Sequence, residues 1–148
     1  MASSPDPFDL DRFVAAQENV FGHTLDELRA GAKRGHWMWF VFPQFAGLGH
    51  SETSRFYAIG SLDEARAYLD HALLGPRLRQ NVEAILGWAG TRDARAIFGN
   101  VDAIKLRSSL TLFDCVSDES LFERALDAFF AGERDPSTLA LLRRRGGL

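Results

Sequence analysis

Cysteine occurs once in the chain, at Cys115, so an internal disulfide is excluded and a reducing, cytoplasmic home is expected. No apolar run approaches the roughly 20 residues of a membrane-spanning helix, so no membrane insertion is expected. The first ten residues, MASSPDPFDL, have neither a basic nor an apolar segment, which argues against a signal peptide. Basic charge is not in excess either. The net charge of −3 argues against duplex nucleic acid as the main partner, and Arg143 to Arg145 is the one dense basic patch. At the end of a helix that patch complements the helix dipole. Neither a Gly-x-Gly-x-x-Gly nor a Gly-x4-Gly-Lys-Ser/Thr motif occurs, and Gly47-Leu48-Gly49 alone is too weak a signal for a nucleotide loop. His23, His36, His50 and His71 lack ligand spacing and Cys115 has no nearby partner. No metal and no cofactor are therefore expected.

What is present is ordinary globular material with one abnormal stretch. The 148 residues, 46% hydrophobic and 25% charged, suit a single domain that buries its own core. Residues 1–8 carry two prolines and read as a frayed arm, leaving 9–148 as one domain. Helix punctuation then recurs along the chain. Leu10, Phe13, Val14, Gln17 and Phe21 share a helical face; Gln17 is expected to bond within the core. Thr24-Leu25-Asp26-Glu27 and Ser61-Leu62-Asp63-Glu64 are capping boxes that should start helices at Leu25 and Leu62. Gly75-Pro76 should stop one helix and start the next. Further helices are expected over 93–98, from 100 or 101 to 116, and around Leu121 to Phe129, closed by Gly132, and the last is started by Asp135-Pro136. Roughly seven helices against at most two short strands, with no fixed-period repeat, make an all-α, single, compact, irregular multi-helix bundle.

The abnormal stretch is Lys33 to Ser51, KRGHWMWFVFPQFAGLGHS. Trp37 to Phe42 is a buried strand or a buried helix, ended by Pro43. Gln44 to Thr53 reads as a loop, and Arg55 to Ile59 as a short strand or one helical turn. The aromatic run, opened by Lys33, Arg34 and His36, reads as a pocket wall. A second unusual segment is VDAIKLRSSLTLFDCV, residues 101–116. Asp102, Lys105, Ser109 and Leu112 fall on one face of a helix that is apolar nearly all round and should be largely buried.

Charged and hydroxyl groups in such a helix are costly unless paired or wet. Lys105 one turn before Ser109 could serve a serine–lysine hydrolase. Lys105 with Lys33 or Arg34 could grip a small anion, with Ser108, Ser109 and Thr111 adding hydroxyls. His36 or Asp102 could act as acid or base on a ring stacked on Trp37 or Trp39. A purely structural alternative is an Asp102–Lys105 pair with the hydroxyls bonded to carbonyls one turn back.

The two segments, GAKRGHWMWFVFPQFAGLGHS and DAIKLRSSLTLF, with LDRFVAAQ, SLDEARAYLDHALLGPRL and LDAFFAGERDPSTLALL, resemble the bacterial domain-of-unknown-function family eighteen-ten over nearly the whole chain. The resemblance implies a compact α-helical domain and makes Trp37–Phe42 helical or irregular. It brings no activity with it. The label calpastatin carried by some members does not fit, because an extended inhibitor should be polar, aromatic-poor and disordered, whereas 11% of this chain is aromatic.

The expected function is therefore binding of a small anionic or nucleotide-like ligand, with an enzymatic step left open. Its contacts would be Lys33, Trp37, Trp39, Phe42, Gln44, Ser108, Ser109 and Thr111, with His36, Asp102 and Lys105 as the groups to test for chemistry. The alternative is a protein-interaction module without chemistry that presents the aromatic segment to a partner. Oligomeric state is not legible.

Overall fold

Ten helices form among residues 5–145, the part of the chain that the computed structural model describes. They are α1 Asp11–Gln17, α2 Phe21–Arg29, α3 Met38–Val41, α4 Glu52–Phe56, α5 Leu62–Asp70, α6 Leu74–Leu86, α7 Ala94–Phe98, α8 Asn100–Val116, α9 Leu121–Phe130 and α10 Pro136–Arg144. The described residues contain no strand, only one isolated parallel bridge between Phe45 and Ile59. The fold is all-α. It has more helices than the roughly seven expected, partly because the stretches of undecided structure, around Trp37–Phe42 and before Ile59, each contain a short helix, α3 and α4.

The long helix α8 is the axis of the molecule. It packs against α5, α7, α9 and α10, while α6 packs against α2, α5 and α9. One continuous core joins them, from Phe13 of α1 through Tyr68 of α5 to Phe113 and Phe122. Several starts follow local chemistry. Ser61 accepts from the Glu64 N–H, Asp93 from the Ala96 N–H, and Asp135 from the N–H groups of Ser137 and Thr138. Before α1, Asp6 accepts from the N–H groups of Leu10 and Asp11, and Phe8 packs on the core. Residues 1–4 of the expected arm lie outside the described residues.

The Thr24 capping box does not start a helix. α2 already begins at Phe21, the Thr24 N–H donates to the Val20 carbonyl, and the Thr24 side chain is buried with Leu25 and Leu28. Packing of α2 on α6 outweighs the local cap. Gly75 and Pro76 likewise sit within the first turn of α6, whose leading N–H groups, at Leu73 and Leu74, are taken by Nδ1 of His71. A Cβ on Gly75 would lie 2.1 Å from the Leu69 carbonyl oxygen, so here glycine is needed for close approach of the two helices. Gln17 does bond within the core: its amide donates to the Phe40 carbonyl at 2.6 Å and to the Tyr68 hydroxyl at 3.0 Å, fastening α3 between α1 and α5. Burial holds the Tyr68 hydroxyl above its ordinary pKa, so it stays un-ionised.

Candidate functional site

The loop after α2 is drawn inward by three groups. Gly31 turns the chain with φ +71°, the Lys33 N–H donates to the Ile97 carbonyl, and Glu27 collects the end of the loop. The Glu27 carboxylate accepts from the N–H groups of Arg34 and Gly35 and from Nε1 of Trp37 at 3.1 Å. Burial opposes its charge, but the N–H groups of Gly35 and Arg34, the Trp37 indole and nearby Lys33 outweigh it and hold the carboxyl below the usual glutamate range. Trp37, 3% exposed, is thereby wedged against Phe42 and Phe98.

The two unusual segments meet at Asp102. Lys33 Nζ lies 2.8 Å from one carboxylate oxygen and Lys105 Nζ lies 3.8 Å from the other. Lys33 is the inner cation, its side chain 8% exposed; its ammonium also donates to the Gly35 carbonyl and sits 4.9 Å from the Trp37 ring centroid. Its donor directions are spent within the protein. Among the described residues Lys105, 24% exposed, is held by the longer pair and by the ring of half-buried Trp39, whose centroid is 5.2 Å away. His36 is exposed beside this loop. The arrangement is a carboxylate flanked by two ammonium groups, one locked and one partly exposed, next to a half-buried indole.

The remaining expected contacts lie elsewhere. Phe42 is fully buried in the core. Gln44 is half-buried, and its carbonyl accepts from the Ile59 N–H beside the bridge. The Ser108 hydroxyl donates to the Asp135 carboxylate at 2.8 Å, with the Ile104 carbonyl 3.2 Å away, and the Thr111 hydroxyl donates to the Arg107 carbonyl and accepts from the Asp135 N–H. These two hydroxyls thus dock α10 on α8. Thr138 adds a second hydroxyl to the Asp135 carboxylate, at 2.6 Å. Burial raises the energy of that charge, yet Thr138, Ser108 and the helix N–H groups together hold the Asp135 carboxyl below its ordinary range. Ser109 is buried and its hydroxyl has no partner among the described residues. Enclosed in this way, it offers no nucleophile to a substrate from solution.

Sequence reasoning missed Glu27 and Asp135 as organisers. The first was visible only as the end of a capping box, the second only as a cap. It also took α8 to be buried nearly all round. Val101 and Ile104 instead stand 67% and 68% exposed on its outer side. The aromatic run does not make an open tryptophan surface, since Trp37, Met38, Val41, Phe42 and Phe45 are all buried. Among the described residues no three His, Cys, Asp or Glu side chains converge as metal ligands, and no helix is long and apolar enough to cross a membrane.

Comparison with known proteins agrees with the fold. The chain is similar to the crystal structure of the conserved hypothetical protein Rv1873 from Mycobacterium tuberculosis, at 50% sequence identity and a TM-score of 0.90, over 93% of this chain and 99% of that one. No curated protein matches it. Residues 7–142 match the model of the family described as protein of unknown function (DUF1810), and the chain belongs to that family.

Proposed function

We propose that the chain is a cytoplasmic binding domain for a small anionic, ring-bearing ligand of nucleotide-like chemistry, held at the junction of the 33–51 segment and α8. The observation that carries the reading is the division of labour around Asp102. Lys33 is consumed in holding the carboxylate, which leaves the neighbouring Lys105, 24% exposed, with only a 3.8 Å contact to it beside Trp39. A phosphate or carboxylate would replace the loose Asp102 contact at Lys105, and the ring would lie on the indole. Asp102 then balances charge, and exposed His36 is the titratable group at the rim. The binding reading requires no reaction.

The test is a thermal-shift series on wild type and Lys105→Ala with nucleotides, NAD, ADP-ribose, sugar phosphates and dicarboxylates. A ligand at about 100 times its dissociation constant adds about 2.7 kcal/mol, a shift that such a series resolves. A rise in wild type that disappears in Lys105→Ala supports the reading and names the chemical class. Equal shifts in the two proteins, or none with any ligand, overturn it.

A further inference from the structure

A different face of α8 carries a hollow of about 390 Å³. Its floor and walls are apolar, formed by Ala103 and the outward Ile104 of α8 and by Phe130 at the end of α9. Two arginines stand at its margin, and each is oriented by its inner nitrogen. Arg95 Nε donates to the Asn100 side-chain oxygen at 2.7 Å, and Arg107 Nε donates to the Glu133 carbonyl at 2.8 Å. A second Arg107 nitrogen, Nη2, bonds the Arg134 carbonyl at 2.9 Å. These partners are neutral oxygens, so they fix the guanidinium planes without cancelling their charge. Neither Nη atom of Arg95, nor Nη1 of Arg107, has an acceptor among the described residues.

Two carboxylates lie close by and would oppose an anion. Asp135, in the lining, has its oxygens occupied by Ser108, Thr138 and the first N–H groups of α10. Glu133 reaches Arg107 only at 3.7 Å, with a side chain 75% exposed to screening water. The hollow thus sets two arginines at the margin of an apolar floor, their charge offset in part by Asp135, which stays ionised, and by water-screened Glu133. Its volume sits at the lower end of the range of small-molecule sites, large enough for a six-carbon chain or a single ring.

We propose that this hollow binds a small amphipathic monoanion, with its apolar body on Ala103, Ile104 and Phe130 and its carboxylate or phosphate between Arg95 and Arg107. A neutral apolar molecule would gain the floor but leave the oriented guanidinium donors unused. A bare inorganic anion would gain the arginines but leave Ile104 in water. The site is separate from Lys105 and stands whether or not Trp39 and Lys105 bind anything.

The experiment is a titration of the full chain followed by backbone amide and methyl NMR. The probes are hexanoate and phenylacetate, each compared with its neutral amide. The expected result is saturable shifts at Ala103 and the Ile104 methyls, with the anion bound at least about fivefold more tightly than its amide, since charge-assisted bonds to an oriented guanidinium outweigh neutral ones. Arg95→Gln, a change at an exposed side chain, should remove that preference, and Lys105→Gln should leave it intact. Arg107→Gln should act like Arg95→Gln provided its spectrum stays folded. Equal binding of acid and amide, shifts centred on Lys105, or no saturation at millimolar probe would each overturn the proposal. So would concentration-dependent self-association abolished by Ile104→Glu, which would give the face to a second copy of the chain.

Discussion

Lys33 Nζ lies 2.8 Å from the Asp102 carboxylate although α3 to α7 intervene in the sequence, and this pair joins the aromatic segment to the axial helix. Its burial contrasts with the looser Lys105 contact to the same carboxylate.

That contrast predicts unequal costs. Lys33→Ala strands a half-enclosed carboxylate and should destabilise the fold by about 3 kcal/mol. Lys105→Ala removes a partly solvated pair and should cost under about 1 kcal/mol. Urea unfolding of the two variants at neutral pH measures both; equal losses would refute the division between inner and outer lysine.

Glu27→Gln should cost about 1–2 kcal/mol at pH 7, because three donors lose a charged acceptor. The native carboxyl titrates below its unfolded value of about 4.5, so the stabilisation is complete above that pH and is lost as pH falls through the lower native value. The gap between wild type and Glu27→Gln should accordingly narrow in acid. A gap independent of pH between 7 and 3 would show that the charge on Glu27 contributes nothing.

The same substitution should have opposite signs at two buried threonines. Thr24 Oγ1 meets no partner among the described residues, so Thr24→Val should be neutral or stabilising by about 1 kcal/mol. Thr138 donates to Asp135 at 2.6 Å, so Thr138→Val should destabilise by about 2 kcal/mol. Thermal melts of the pair decide it.

Two helical glycines form another such pair. Nothing lies within 4 Å of a Cβ built on Gly22, and Gly22→Ala should stabilise α2 by up to about 1 kcal/mol. Gly75→Ala drives a methyl into the Leu69 carbonyl and should cost more than about 2 kcal/mol. Similar melting temperatures for the two variants would contradict the close α5–α6 approach.

Cys115 should be a slow thiol. Burial first, and then neighbouring Asp114, raise its pKa above the ordinary value of 9.0. Iodoacetamide should label the native chain at neutral pH far more slowly than the unfolded chain, and the rate should climb only in more alkaline solution. Comparable rates at pH 7 would contradict it.

Short-range chemistry was legible wherever its partner lay within one turn. Ser61, Asp93 and Asp135 announce helix starts because a cap needs only the next three residues. Thr24 to Glu27 carries the same letters, but tertiary burial of Thr24 and the distant pull of Trp37 on Glu27 use them differently. Nothing local distinguishes the two cases. The meeting of Lys33 with Asp102 is a long-range relation that no spacing encodes. Ser108 bonds Asp135 for a plainer reason: one residue before Ser109 is about 100° around the helix, which turns it from the Asp102 face.

The docking of α10 on α8 has a consequence for synthesis. Ser108, Thr111 and Thr138 spend their hydroxyls on Asp135 or its backbone, and Leu142 is sealed into the core only when α10 arrives. A nascent chain halted before Asp135 would hold every other helix yet leave the flank of its axis uncovered. The axis of the fold is thus covered by α10, and a fusion or truncation that detains α10 would act as an assembly defect felt at the centre of the molecule.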